Sequence, residues 1–519
     1  MNTYIAETTS GKVQGYEREG RIDYLGIPYA EAPVGELRFK RSVPVRHWDD
    51  VYDAKDYGNA PIQYNNGQVM GSEDCLTLNC QRPLEGENLP VFIWIYGGGY
   101  NTGYSSDEMY RGEAFVKDGI VFFSFNYRTN ILGFYDFTTY PGCEDFHSNC
   151  GLSDQILALN WIHDNARAFG GDPDNITIAG ESAGGASVVN MLVVPGVKGC
   201  FQKAIIESGL PNCVMTHQTA RENIDLFLEG MHWTEKDLHH LRTDDPHLFL
   251  LGHEYVQARH QYKNPGMFLP GPVIDDLLPV RPIDALRAGA ASDIKVIIGT
   301  NMHEGTMFVH PENTGFPNCW TMIAKMMEKN GNADALPRII GFYHEDGRDY
   351  FSLFKDSAKS LSSSIPPMQG DVRQIGGDAF IRFATDYAFE MPAVKVAMAQ
   401  KMYNDDIWMY RYELITKSGE ATGWKASHAF ELPAVFDKPD HPFAHFEFDG
   451  EDPDVFAKIR DDMHGDWISF IRTGNPGENW QKFTGPKSPV RIYDRNTRTE
   501  ELDRSHLMKV WGDLRFYEK

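Results

Sequence analysis

No apolar run in this 519-residue chain is long enough to cross a membrane. The longest, such as Val91 to Tyr96 and Ile120 to Phe125, are the length of a strand, well short of the ~18 residues a transmembrane helix requires. The opening residues lack the basic segment and apolar core of a secretory signal, so a cytoplasmic protein is expected, or a secreted one if its start has been trimmed. Basic charge is scarce: 49 Lys and Arg face 73 Asp and Glu, a net charge of −24. Such a balance opposes contact with phosphate backbones and excludes nucleic acid as a partner class. The seven cysteines are odd in number and show no metal-ligand spacing, so at least one thiol is free and no metal site is expected. The single glycosylation-type triplet, Asn175-Ile176-Thr177, leads into a strand where a glycan would hardly fit. Linker tracts and repeats are also missing, so we expect one domain over residues 1–519 with long insertions. The 42% of hydrophobic residues is ample for a large core.

Strand-like runs recur at Val91 to Tyr96, Ile120 to Phe125, Ile176 to Ala179, Ala204 to Glu207, Val296 to Gly299 and Ile407 to Glu413. Helical patterns separate several of them. The clearest spans Leu152 to Phe169, where Ile156, Leu159, Ile162, Ala166 and Phe169 follow three-and-four spacing before Gly170, Gly171 and Pro173. Strands alternating with helices imply an α/β fold with a mostly parallel sheet flanked by helices, and reactive groups then gather at the carboxyl ends of the strands. Two long excursions follow the strand at Ala204, with helical pieces at Ala220 to Glu229 and Phe380 to Ala399. They are expected to wall a pocket.

The chemistry starts at Gly180-Glu181-Ser182-Ala183-Gly184. A strand, a sharp turn and a helix meet here with a serine at the apex, which thrusts a hydroxyl out of the sheet edge beside the helix's unpaired N–H groups. A serine hydroxyl needs a base to take its proton, and that base needs an orienting carboxylate. Around such a turn the chain order is serine, acid, histidine. Glu304 lies just past the strand at Val296, and His428 lies in a loop after the strand at Ile407. His303, His310, His441 and His445 are its rivals. Tyr96-Gly97-Gly98-Gly99-Tyr100 ends another strand, and its three glycines free the backbone to turn N–H groups inward, where with the amide of Ala183 they are expected to make a three-donor oxyanion hole.

Nine ordered segments, from Gly26 to Phe39 through Glu73 to Asn79, Trp94 to Gly99, Asn126 to Arg128, Gly151 to Gln155, Phe169 to Gly184, Gly299 to Gly305 and His428 to Pro433 to Trp467 to Pro476, resemble the type-B carboxylesterase and cholinesterase family of the α/β-hydrolase fold. The resemblance implies Ser182 as nucleophile, Glu304 as acid and His428 as base, with Gly98, Gly99 and Ala183 donating to the oxyanion. It also implies Glu181 as a buried secondary carboxylate, and structural ion pairs between Arg38 and Glu73 and between Arg128 and Asp154. The cysteine upstream of Cys75 that secreted members use to close a loop has no counterpart, since residues 1–74 hold no cysteine; nor does a tryptophan occur between Pro61 and Cys75. Choline esters are therefore poor candidates.

The expected activity is hydrolysis of a small to medium, mainly apolar ester through an acyl-enzyme, without metal or cofactor. A biosynthetic esterase, lactonase or transacylase is the alternative, and a non-catalytic binding protein the more distant one. Tyr100, Tyr104, Phe134, Phe268, Phe308 and Phe316 are candidates for the pocket wall.

Overall fold

A computed structural model describes residues 3–65, 67–309, 316–343 and 377–517. Twelve strands follow one another across the main sheet: β1 (Thr3–Thr8), β2 (Gly11–Arg18), β3 (Arg21–Pro28), β4 (Thr77–Pro83), β5 (Leu89–Ile95), β6 (Val121–Phe125), β7 (Gly171–Glu181), β8 (Lys203–Glu207), β9 (Lys295–Asn301), β10 (Ile407–Tyr412), β11 (Lys487–Tyr493) and β12 (Arg498–Asp503). Their spatial order is β1-β2-β3-β4-β6-β5-β7-β8-β9-β10-β11-β12, and a two-residue strand at Tyr52–Asp53 pairs with β2. From β6 to β11 all neighbours run parallel. The edges, β1 to β4 and β12, are antiparallel. The six strand-like runs of the sequence are β5 to β10, displaced by a residue or two at their ends. The exception is β7, which starts five residues earlier than Ile176.

Burial explains which strands the apolar pattern reveals. β6 and β8 are buried along their whole length, as expected for parallel strands covered on both faces. β1 is mostly open to solvent and β2 alternates, so neither carries a continuous apolar signature.

The chain leaves β5 for β6 on one side and reaches β7 on the other. This reversal opens a crevice at the carboxyl ends of β5 and β7. The parallel register sets Ile95 beside Gly180, Glu181 beside Glu207, and Glu207 beside Gly299, so the ends of four strands form one ledge.

Helix α1 (Cys150–Asn165) continues as a 3-10 turn to Phe169 and stops at Gly170, which is left-handed. After β7 comes α2 (Ala183–Met191). The first excursion carries α3 (His217–Met231) and α4 (Phe249–Lys263), and the second carries α5 (Gly377–Thr385) and α6 (Met391–Lys401) joined by a π-turn at Asp386–Glu390. The last long helix, α7 (Pro453–Thr473), covers the sheet near β5 and β7.

Both anticipated ion pairs form. Arg38 grips Glu73 at 2.6 and 2.8 Å and also donates to the carbonyls of Leu241 and Asp244. Arg128 binds Asp154 at 2.7 and 2.9 Å in the interior. The loop that a disulfide would otherwise close is held by an amide instead: Gln63 donates to the Gly103 carbonyl at 3.0 Å and accepts the Gly103 N–H at 2.7 Å. All seven cysteines are free. Among the described residues no helix is long and apolar enough to cross a membrane.

Candidate active site

β7 delivers Ser182 to the crevice through a turn that only small residues permit. Ser182 has φ 58° and ψ −122°. A Cβ on Gly180 would lie 2.5 Å from the Gly184 carbonyl carbon, and one on Gly184 would lie 2.0 Å from the Ile95 oxygen. The turn is anchored by the Ser182 N–H, which donates to the Glu207 carbonyl at 2.9 Å. Strain of this kind persists only where neighbouring structure over-determines it, and here β8 supplies the anchor. Ser182 is the N-cap of α2, so the amide of Ala183 is one of that helix's unpaired donors.

Glu304 follows β9 in a short 3-10 turn and is fully buried. Its Oε1 accepts the Ser208 hydroxyl at 2.6 Å and the Asn301 N–H at 2.7 Å, while its Oε2 lies 2.5 Å from His428 Nδ1. The histidine loop is fixed from the same strand end: Asn301 Nδ2 donates to the Ser427 carbonyl and to Glu431. The rings of Phe308 and Phe389 pack against the imidazole at 5.0 and 4.8 Å. Of the rival histidines, His441 caps a short helix by accepting from the Phe443 N–H, His445 is exposed, and His303 precedes Glu304. His310 lies outside the described residues.

The hydroxyl–imidazole link expected from the sequence is not closed in this structure. His428 Nε2 stands 3.0 Å from Glu181 Oε1, within ion-pair distance but off hydrogen-bond alignment, and has no hydrogen-bond partner among the described residues. Catalytic hydrogen bonds are often long or misaligned before substrate binds.

Ser182, His428, Glu181, Gly98 and Gly99 line one cleft of about 440 Å³, a size that suits a small ligand. Gly98 and Gly99 have φ of 102° and 62°, a backbone region that glycine reaches without penalty. Polar and apolar walls differ in origin. Asn101 and Thr102 follow the glycines, Gln257 and His260 come from α4, and Met267, Phe268, Leu269, Met307 and Phe308 form the apolar side. Of the six aromatics expected at the wall, Phe268 and Phe308 are there. Tyr100, Phe134 and Phe316 are buried in the core, and Tyr104 does not line the cleft.

Burial disfavours a charged imidazole, but the pull of Glu181 and Glu304 outweighs it and raises the His428 pKa well above 6.5. Behind it, burial pushes Glu207 up to about 8, with Glu181 adding to the rise and the Trp467 indole N–H opposing it. Burial and the neighbouring Glu181, Glu207 and Glu304 push Glu431 well above the usual carboxylate range. A base must be neutral, so the acid limb of kcat/KM should fall above pH 6.5. Removing one carboxylate weakens the pull on the imidazolium, so Glu181→Gln should move that limb to lower pH. A pH–rate profile of both proteins checks this, and an unmoved limb would contradict it.

Ser208, Asn301, Glu207, Glu431 and Phe389 were not anticipated from sequence. Ser208 was within reach, since it directly follows the strand at Ala204 to Glu207 and so sits on the same ledge as Ser182.

The chain matches the Carboxylesterase family over residues 2–511. It is 33% identical over 519 residues to the para-nitrobenzyl esterase of Bacillus subtilis (strain 168), covering 96% of each chain. It is 31% identical over 509 residues to the phenmedipham hydrolase of Pseudarthrobacter oxydans, covering 94% of each. Among solved structures, a PNB esterase superposes with a TM-score of 0.81 at 31% identity, covering 98% of this chain and all of that one.

Proposed function

This chain belongs to the carboxylesterase family and hydrolyses carboxylic esters, and from that premise we propose that it does so through an acyl-enzyme on Ser182. In this reading Ser182 Oγ attacks the ester carbonyl while His428 Nε2 takes its proton. Glu304, held by Ser208 and Asn301, keeps the imidazole proton on Nδ1. The developing oxyanion is received by the N–H groups of Gly98, Gly99 and Ala183. His428 then returns the proton to the departing alcohol, and water cleaves the acyl-enzyme by the same steps in reverse. Before this, His428 Nε2 must exchange its place beside Glu181 Oε1 for a hydrogen bond with Ser182 Oγ. Glu181 remains beside it as a secondary carboxylate for the imidazolium.

The observation that carries the reading is the convergence of Ser182, His428 and the Gly98–Gly99 turn on one cleft, with Glu304 bonded behind the imidazole. The apolar wall of Met267, Phe268, Leu269, Met307 and Phe308 supports a small to medium, mainly apolar ester. The relatives named for para-nitrobenzyl esters and for phenmedipham favour neither the transacylase or lactonase alternative nor a non-catalytic protein. Seven unpaired cysteines, six of them buried, support a reducing, cytoplasmic setting. Labelling by a fluorophosphonate probe tests the nucleophile: stoichiometric modification of Ser182 is expected, and an active protein that resists the probe would overturn the assignment.

A further inference from the structure

We infer that the side-chain amide of Asn101 is a positioning residue for the oxyanion donors. The inference rests on the reading that Gly98 and Gly99 supply those donors. Gly98, Gly99 and Tyr100 are three successive residues with positive φ, at 102°, 62° and 58°. Tyr100 has no glycine's freedom there, and such a run holds only when its surroundings fix it on both sides. On one side the Tyr100 ring is buried. Its hydroxyl accepts from Ser187 of α2 at 3.1 Å, and its carbonyl accepts the Asn130 N–H at 2.6 Å.

On the other side the anchor is Asn101. Its Nδ2 donates to the Leu269 carbonyl at 3.0 Å, and its Oδ1 accepts from Gln257 Nε2 at 3.2 Å. Gln257 Nε2 also donates to the Leu269 carbonyl at 3.1 Å. Three groups from the glycine turn, from α4 and from the apolar wall thus close one small ring. The backbone N–H groups of Asn101 and Thr102 both donate to the Gly98 carbonyl, at 3.0 and 3.1 Å. In a trans peptide the N–H of the next residue points opposite to that carbonyl. Holding the Gly98 oxygen towards Asn101 therefore sets the direction of the Gly99 N–H. The Asn101 amide nitrogen also packs 3.3 Å from where a Gly99 Cβ would stand, leaving the turn little room to rotate.

Displacing a donor by a fraction of its bond length is costly because oxyanion stabilisation depends on fixed dipoles. Asn101→Ala removes the anchor. Asn101→Asp keeps the size and the acceptor for Gln257 but faces the Leu269 carbonyl with an oxygen. Both variants should lose about 10- to 100-fold in kcat on a p-nitrophenyl ester with KM changed less than about threefold. Inhibition by a trifluoromethyl ketone, whose adduct carries the oxyanion, should weaken in step, while the end-point of fluorophosphonate labelling at Ser182 stays complete. Should the alanine variant fail to fold, the aspartate variant carries the same test. A kcat and ketone affinity within twofold of the parent would overturn the inference. So would a loss confined to KM, which would make Asn101 a substrate contact. Failure of the parent enzyme itself to be labelled would instead overturn the nucleophile reading.

Discussion

Replacing Ser182 by alanine should lower kcat on a p-nitrophenyl ester about 10⁶-fold, the scale at which removal of a triad serine acts elsewhere. What survives is the contribution of the cleft and the oxyanion donors, which alone still exceed water by about 10³–10⁴. The substitution leaves the turn intact, because the anchor is the backbone N–H of residue 182 on the Glu207 carbonyl and not the hydroxyl. An alanine at φ 58° meets the same backbone restriction as the serine it replaces. The melting temperature should therefore stay close to that of the parent. Turnover of Ser182→Ala within tenfold of the parent would remove the nucleophile from the scheme.

The second large effect belongs to Glu304→Gln, expected to cost about 10⁴ in kcat. The reason is written in the bonds of the two carboxyl oxygens. Oε1 receives two donors, the Ser208 hydroxyl and the Asn301 N–H. A glutamine must therefore keep its oxygen on that side and turn its NH₂ towards His428 Nδ1. Facing a donor, Nδ1 becomes an acceptor, and the imidazole proton moves to Nε2, the atom that has to receive the serine proton. The variant keeps its shape and loses its tautomer. A kcat loss of less than tenfold, measured on the alkaline plateau, would mean that the imidazole is oriented by Glu181 and not by Glu304.

The parts of this site that could be read from sequence are those where local geometry demands particular residues. Ser182 stands between Gly180 and Gly184 because any side chain at either glycine would strike the backbone across the turn, so the motif exposes the fold. Parallel strands β5 to β10 were legible because both faces are covered and their residues are nearly all apolar. The edge strands β1 and β2 lack that pressure and carry no continuous apolar run to mark them. The supporting polar residues were hidden for a different reason. Ser208, Asn301 and Glu431 are single residues whose side chains meet partners 96 to 130 positions away, and one serine, asparagine or glutamate resembles many others. Asn101 and Gln257 are 156 positions apart, and no local pattern links them. Phe389 reaches the imidazole through the π-turn between α5 and α6, whereas the sequence reads as one continuous helix from Phe380 to Ala399.

Within the triad, structure and expectation part at the open link between His428 and Ser182. With Glu181 beside Nε2, the resting base makes no hydrogen bond to the nucleophile. The same two carboxyl groups that raise its pKa stabilise the imidazolium once it has formed. A base that is easily protonated holds the serine proton well, and the cost is an activity that falls away on the acid side.

The most direct test of the whole account is to catch the acyl-enzyme. The protein is quenched in acid during turnover of a slowly deacylated p-nitrophenyl ester, digested, and its peptides mapped by mass spectrometry. The account predicts the acyl group on Ser182, and its absence from Ser182→Ala. Turnover with no acylated peptide, or with the acyl group on another residue, would contradict it.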